Sequence, residues 1–275
     1  MPSYRFCRPD DLTLMIRAIN TCYLMHYPDE TAMTEERLKE HMTLFQVRPG
    51  NCMVALERQQ PVGVVVSTRR DYGVWIQALG CQPACQRRGI ATQLVEALVR
   101  KIAIQRAPLV TVDVPSTNTP ALRFFEAVHF TVRGRYVSYQ GFLTEVPGIP
   151  GRIEAVSPPD VLAYYAPFHP VPACWERNAE SLAGYGTRPQ GYAYYTQDTV
   201  LGYLIHRNST ILDLALAPQA DAEQVSAALL GRMHAAGYTH ATLPKVPEGE
   251  CMVAVLARLG FTPTADYLFM GQELQ

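Results

Sequence analysis

The sequence predicts a mixed α/β (α+β) chain built from two tandem copies of one fold. Three observations predict it. Through the first half, short β-rich runs alternate with helical patterns. A proline- and glycine-rich stretch, EVPGIPGR at 145–152, interrupts that pattern and marks a domain boundary. Beyond it the order partly repeats: PVGVVV around Gly63 is echoed by VLGYLI around Gly202, LGCQP ending at Pro83 by LALAP ending at Pro218, and FFEAVHF by LARLGF. The expected division is 1–147 and 148–275. The rival arrangement is a single mixed domain with an added lobe, because the second half shows no clear equivalent of the long helical region that opens the first.

Each element has a local reason. YRFCRP is a short strand closed by Pro9. Residues 10–25 read as a helix, with Asp10 or Asp11 as N-cap. A second helical pattern runs from Thr34 to Phe45, with Thr34 as cap and Glu35 and Glu36 in the first turn. Residues 52–70 form a hairpin that turns near Gln59–Pro61, and VWIQALGCQP is a further strand. The helix expected over Gln86–Ile104 carries Ile90, Leu94, Leu98 and Ile102 on one face. LVTVDVP is a buried strand. TPALRFFEAV is a short helix capped near Asn118 or Thr119 with Pro120 early in it. VRGRYVSYQGFL closes the half as a strand.

Composition narrows the class. The 275 residues carry a formal net charge of −1, with 48% hydrophobic and 18% charged residues. That is the profile of a soluble protein with a good core, and it lacks the basic excess of a nucleic-acid binder. The opening residues MPSYRFCRPDD are polar rather than signal-like, and no apolar run approaches membrane-spanning length. Seven scattered cysteines without metal or redox spacing fit buried free thiols in a reducing cytoplasm. The histidines form no ligand cluster, so no metal is expected.

The chemistry concentrates in ACQRRGIATQLVEAL, residues 84–98. Arginines and a glycine stand where a helix begins. A helix N-terminus exposes unpaired N–H groups and the positive end of the macrodipole, which suits a phosphate. The Gly-x4-Gly-Lys-Ser/Thr loop of nucleotide-binding proteins and the Gly-x-Gly-x-x-Gly dinucleotide turn are both absent.

Gln86-Arg87-Arg88-Gly89-Ile90-Ala91, followed by Asn118, Ala121, Phe124, Phe125, His129 and Phe130 in that order, resembles the paired motifs of GNAT-type N-acetyltransferases. The resemblance implies two tandem GNAT-like domains, each a mixed, mostly antiparallel central sheet flanked by helices. It implies acetyl-CoA as cosubstrate and transfer of an acetyl group to a primary amine of an unidentified acceptor. Gln86, Arg87, Arg88, Gly89, Ile90, Ala91 and Thr92 would ring the pyrophosphate. Leu79, Gly80 and Cys81 would offer backbone groups to the pantetheine arm and thioester, and Phe125 would wall the pocket. Asn118 would either bond the pantetheine or cap its helix. In the second copy Asp221, Glu223 and Gln224 are expected where Gln86, Arg88 and Gly89 stand, which sets acids against the phosphates. That copy is therefore expected to be structural or to shape the acceptor pocket.

Acetyl transfer also needs a base and an acid. Asp113 in TVDVP is the candidate base, equally readable as a solvent-facing aspartate, with Asp71 and Glu126 behind it. Relatives carry a tyrosine acid where this chain has Phe125. Tyr136, or Tyr139, is the candidate substitute, although both residue types more often pack. Residues 23–45, including His26, are expected to contact the acceptor. The alternative reading is a non-catalytic acyl-CoA sensor or scaffold, and the oligomeric state is open between monomer and homodimer.

Overall fold

A computed structural model describes residues 1–27, 30–146 and 151–274. The chain forms two compact units, Met1–Arg133 with Phe269–Gln275, and Gly134–Leu268. The expected boundary at 147/148 lies outside the described residues, and the units part earlier, inside a long strand. Thr131 and Arg133 bond to Gly271 and Glu273 of the first unit. Arg135 bonds to Glu248 and Asp266 of the second.

The first unit runs β1 (Ser3–Phe6), α1 (Leu12–Cys22), α2 (Glu35–Leu44), β2 (Met53–Glu57), β3 (Gln60–Arg70), β4 (Gly73–Cys81), α3 (Ile90–Ile104), β5 (Leu109–Pro115) and α4 (Thr119–Ala127), then enters β6 (Thr131–Phe142). Strands β1 to β4 pair antiparallel in order, and β5 joins β4 in parallel. The β2–β3 turn takes positive φ at Arg58 and Gln59, the twist a two-residue hairpin requires. Thr34 caps α2 by accepting from Arg37 N–H, and Asn118 caps α4 by accepting from Ala121 N–H. Asp11 stands at the start of α1 but makes no cap bond. Its carboxylate instead takes the Arg5 guanidinium and Arg8 N–H. Ile90, Leu94, Leu98 and Ile102 are all buried on the sheet face of α3.

The second unit continues with β7 (Arg152–Val156), α5 (Pro158–Val161), α6 (Tyr165–Phe168), α7 (Ala179–Tyr185), β8 (Gln190–Thr196), β9 (Thr199–Arg207), β10 (Thr210–Leu216), α8 (Ala222–Ala235), β11 (His240–Pro247), α9 (Val253–Leu256) and β12 (Phe261–Glu273). From β8 to β12 this repeats the order from β2 to β6: three antiparallel strands, a long helix, a parallel strand, a short helix and a final strand. Short helices α5 to α7 replace the longer α1 and α2. The repeated glycine has a steric reason. A Cβ on Gly63 would lie 2.6 Å from Ile90 of α3, and one on Gly202 would lie 2.6 Å from Val225 of α8. In each copy the long helix sits directly on the central strand.

The second unit also buries a charge network. Asp213 on β10 accepts from Arg177 at 2.9 Å and from Tyr203 at 2.8 Å, and meets His169 Nε2 at 3.1 Å. Nδ1 of His169 lies 2.7 Å from Glu250. Two carboxylates on one imidazole require both ring nitrogens to donate. Two positive groups therefore balance two negative ones, as burial demands. All cysteines are free; six are buried as expected, and Cys251 is exposed.

Candidate functional site

The site begins where two parallel strands separate. β4 and β5 pair at Val74–Val110, Trp75–Thr111 and Ile76–Val112. β4 then runs on to Cys81 while still paired with β3, with a bulge at Gln77 between the Ala78 and Ile76 rungs. Gln82 N–H donates to Val62 of the β3 side at 3.1 Å. Peptide groups alternate along a strand, so the carbonyls of Cys81 and Leu79 face the opened edge. Gly80 lets α1 close on this edge: a Cβ there would fall 2.0 Å from the Cys22 carbonyl and 2.8 Å from Tyr23 Cα.

The loop after β4 delivers a helix N-terminus to the same place. Arg87 and Gly89 both adopt positive φ. Gly89 is the N-cap of α3, which starts at Ile90 rather than at Gln86, and no side chain caps it. The helical ladder opens with Gln93 N–H bonded to Gly89 at 3.1 Å. The N–H groups before it have no place in that ladder, and a Cβ at Gly89 would meet nothing within 4 Å. An uncapped helix end, its dipole and open space coincide.

These parts enclose a cavity of about 660 Å³. Leu79, Gly80 and Cys81 line it from the strand. Gln86, Arg87, Gly89, Ile90, Ala91 and Thr92 line it from the loop and helix, and Asn118 and Phe125 from α4. Arg88 turns elsewhere: its guanidinium pairs with Glu57 at 2.9 Å and contacts Cys85 Sγ at 3.5 Å. It straps the loop to the end of β2. Asn118 uses its side-chain oxygen as the α4 cap while lining the cavity, so both roles offered for it are compatible. Phe125 is almost fully buried and packs edge-on against Phe130.

Among the described residues the lining includes neither proposed proton carrier. Asp113 is half-buried on β5 between buried Val112 and Val114. Tyr136 is buried on the part of β6 that belongs to the second unit. The second motif's Ala121 and Phe124 line the cavity as well, whereas the motifs do not mark Tyr23, His26, Tyr27, Cys85 or Pro120, which also line it. Tyr23, His26 and Tyr27 come from the segment expected to contact an acceptor, and the Gly80 contact brings them in. Among the described residues of this lining Arg87 is the one permanently charged side chain and there is no carboxylate. Burial pushes the Cys81 thiol up to about 12, so it stays neutral beside the helix terminus.

The second unit builds the equivalent place differently. Asp221 caps α8 and accepts from Gln224 N–H at 3.0 Å. Asp221 is thus the counterpart of Gly89, not of Gln86, and Gln86 to Arg88 have no counterpart between Pro218 and the helix. Glu223 pairs with Arg258 at 2.7 Å, and Gln224 donates to Tyr194 at 2.8 Å. A carboxylate of the chain itself occupies the helix N-terminus.

Residues 14–130 match the family model described as the acetyltransferase (GNAT) family. The matched residues all lie in the first unit, and that family generally uses acetyl-CoA. Among curated proteins, the chain is 26% identical over 139 residues to a mycothiol acetyltransferase of Segniliparus rotundus, covering 48% of this chain and 52% of that one. It is 26% identical over 125 residues to the mycothiol acetyltransferase of Brachybacterium faecium, covering 44% and 38%. The chain thus spans about half or less of the relatives it matches. A tandem GNAT protein from the clavulanic acid biosynthesis pathway superposes with TM-score 0.65 at 14% identity, covering 99% of this chain and 98% of its own. A putative acetyltransferase from Pyrococcus horikoshii gives 0.67 at 18%, covering 100% and 90%. The tandem arrangement is therefore a known form of the whole fold.

Proposed function

We propose that this chain is an acetyl-CoA-dependent N-acetyltransferase whose first unit binds the donor and whose acceptor is a primary amine. The observation that carries the reading is the uncapped N-terminus of α3, open beside the free edge of β4 in one cavity. The fit to acetyl-CoA is chemical. Amides of the first helical turn and Arg87 suit a pyrophosphate, and among the described residues no carboxylate in the lining opposes it. The outward carbonyls of Leu79 and Cys81 suit an amide-bearing arm, which adds to an open edge as a strand does. Phe124 and Phe125 give an apolar wall to the arm.

In the transfer, the amine nitrogen attacks the thioester carbonyl carbon. The C–N bond forms, the C–S bond breaks, and the thiolate of coenzyme A leaves and takes a proton. Asp113 remains the proposed base, acting through water. Asp113→Asn tests it by turnover at unchanged donor affinity. Phe125, a buried side chain with no proton to give, favours a second reading, an acyl-CoA sensor. Release of free thiol that depends on an added amine separates the two.

The deciding variant is Gly89→Asp. It places at α3 the carboxylate that caps α8; nothing crowds a Cβ there, although the positive φ strains any side chain. Calorimetric titration of the unaltered chain with acetyl-CoA should saturate at one equivalent, and the variant should lose about tenfold or more in affinity. Equal binding by both would refute the placement.

A further inference from the structure

We infer that His26 is a latch on the donor cavity: its imidazole holds the Cys81 carbonyl that an amide-bearing arm would use, and it is displaced when the arm binds. The inference rests on the acyl-CoA reading above.

The geometry is specific. Gln82 N–H points to Val62, so the Cys81 carbonyl of the same peptide group points the other way, into the opened edge. His26 Nε2 lies 2.9 Å from that oxygen. A carbonyl only accepts, so Nε2 carries the proton. The phosphate loop follows Cys81 directly. An arm leaving the helix N-terminus therefore meets the Cys81 rung before it reaches Leu79. The imidazole also lines the cavity, so it takes the room the arm needs as well as the acceptor. A second lone pair on the oxygen does not resolve that overlap.

His26 is also placed to let go. It ends a single helical turn, Leu24–His26, that follows α1. Its residue is exposed, while the hydrophobic core of the unit lies elsewhere. Rotation of the ring exchanges one hydrogen bond for another without unpacking that core.

The test is titration of coenzyme A into the unaltered chain, His26→Ala and His26→Gln by calorimetry. Removal of the competing donor should make His26→Ala bind about three- to tenfold tighter, the range one net hydrogen bond supports. His26→Gln keeps a donor and should bind like the unaltered chain. Equal or weaker binding by His26→Ala overturns the latch while leaving the donor site intact. Absence of binding by all three overturns the latch together with the acyl-CoA reading. Nitrogen-15 NMR of labelled histidine reads the unaltered chain directly. The His26 Nε2–H signal should shift on saturation with coenzyme A, and an unmoved signal overturns the latch even if His26→Ala does not fold.

Discussion

Two residues in equivalent places separate the copies. Gly89 begins α3 with no side chain to offer, and Asp221 begins α8 with a carboxylate already bonded to the helix. Asp221→Ala should cost about 1 kcal/mol in a denaturant melt, the usual value of an N-cap. It should create no coenzyme A site, because the loop residues are missing. Gly80 is a packing residue of the same weight. Gly80→Ala drives a Cβ to 2.0 Å from the Cys22 carbonyl, a backbone atom that cannot swing aside. A destabilisation of about 1–3 kcal/mol is expected by equilibrium unfolding. Loss of coenzyme A affinity should accompany it as α1 moves off the edge of β4. The two neighbouring arginines should also differ. Arg87→Ala should weaken coenzyme A binding about tenfold, whereas Arg88→Ala should change it little, because Arg88 is committed to Glu57 in a half-exposed pair. Similar losses in both would restore Arg88 to the phosphate site.

At the scale of elements, the site depends on strands that part company. The β4–β5 ladder stops at Ile76, which leaves hydrogen-bonding groups that a ligand can use. In the second unit β10 and β11 pair in parallel at Thr210–Thr242, yet the adjacent helix terminus is closed by Asp221. The segment carrying His169 and Arg177 is tied to β10 by the buried network around Asp213. Burial by itself pulls the His169 pKa down, but Asp213 and Glu250 outweigh it and hold it up at about 9. A folded value above the unfolded value near 6.5 means that this contribution is complete below about pH 6.5. It is lost as pH rises through about 9. The unfolding free energy of the unaltered chain should fall across that window, and the fall should be missing in His169→Gln. Identical pH slopes would show that the imidazole is not shared by the two carboxylates.

For the whole molecule, the copies have diverged in what they expose. Each keeps the strand–helix core with a glycine beneath its long helix, so each retains the fold. The first leaves its long helix uncapped beside a cavity, and the second caps the matching helix with Asp221. One equivalent of acetyl-CoA per chain is the expected stoichiometry. Two equivalents would mean that the capped terminus of α8 opens.

The sequence by itself determined the alternation of elements in the first half, the cap at Thr34, a cap at Asn118 or Thr119, the sheet face of α3 and the repeat. These depend on local spacing and on residue types whose conformational preferences act over a few positions. It also marked most of the cavity lining, because the loop, the strand before it and the start of α4 lie in or beside two short motifs. Tertiary structure decided the rest. Arg88 is drawn to Glu57, a residue far away in the chain. The cap alignment of Gly89 with Asp221 depends on where each helix starts, which the flanking prolines misjudge. The boundary inside β6 follows from the end of β12 returning to the first unit. Tyr23, His26 and Tyr27 enter the cavity because Gly80 lets α1 approach, and that contact joins residues no local pattern relates. Local preference writes the elements, whereas contacts between distant positions decide which groups a site can use.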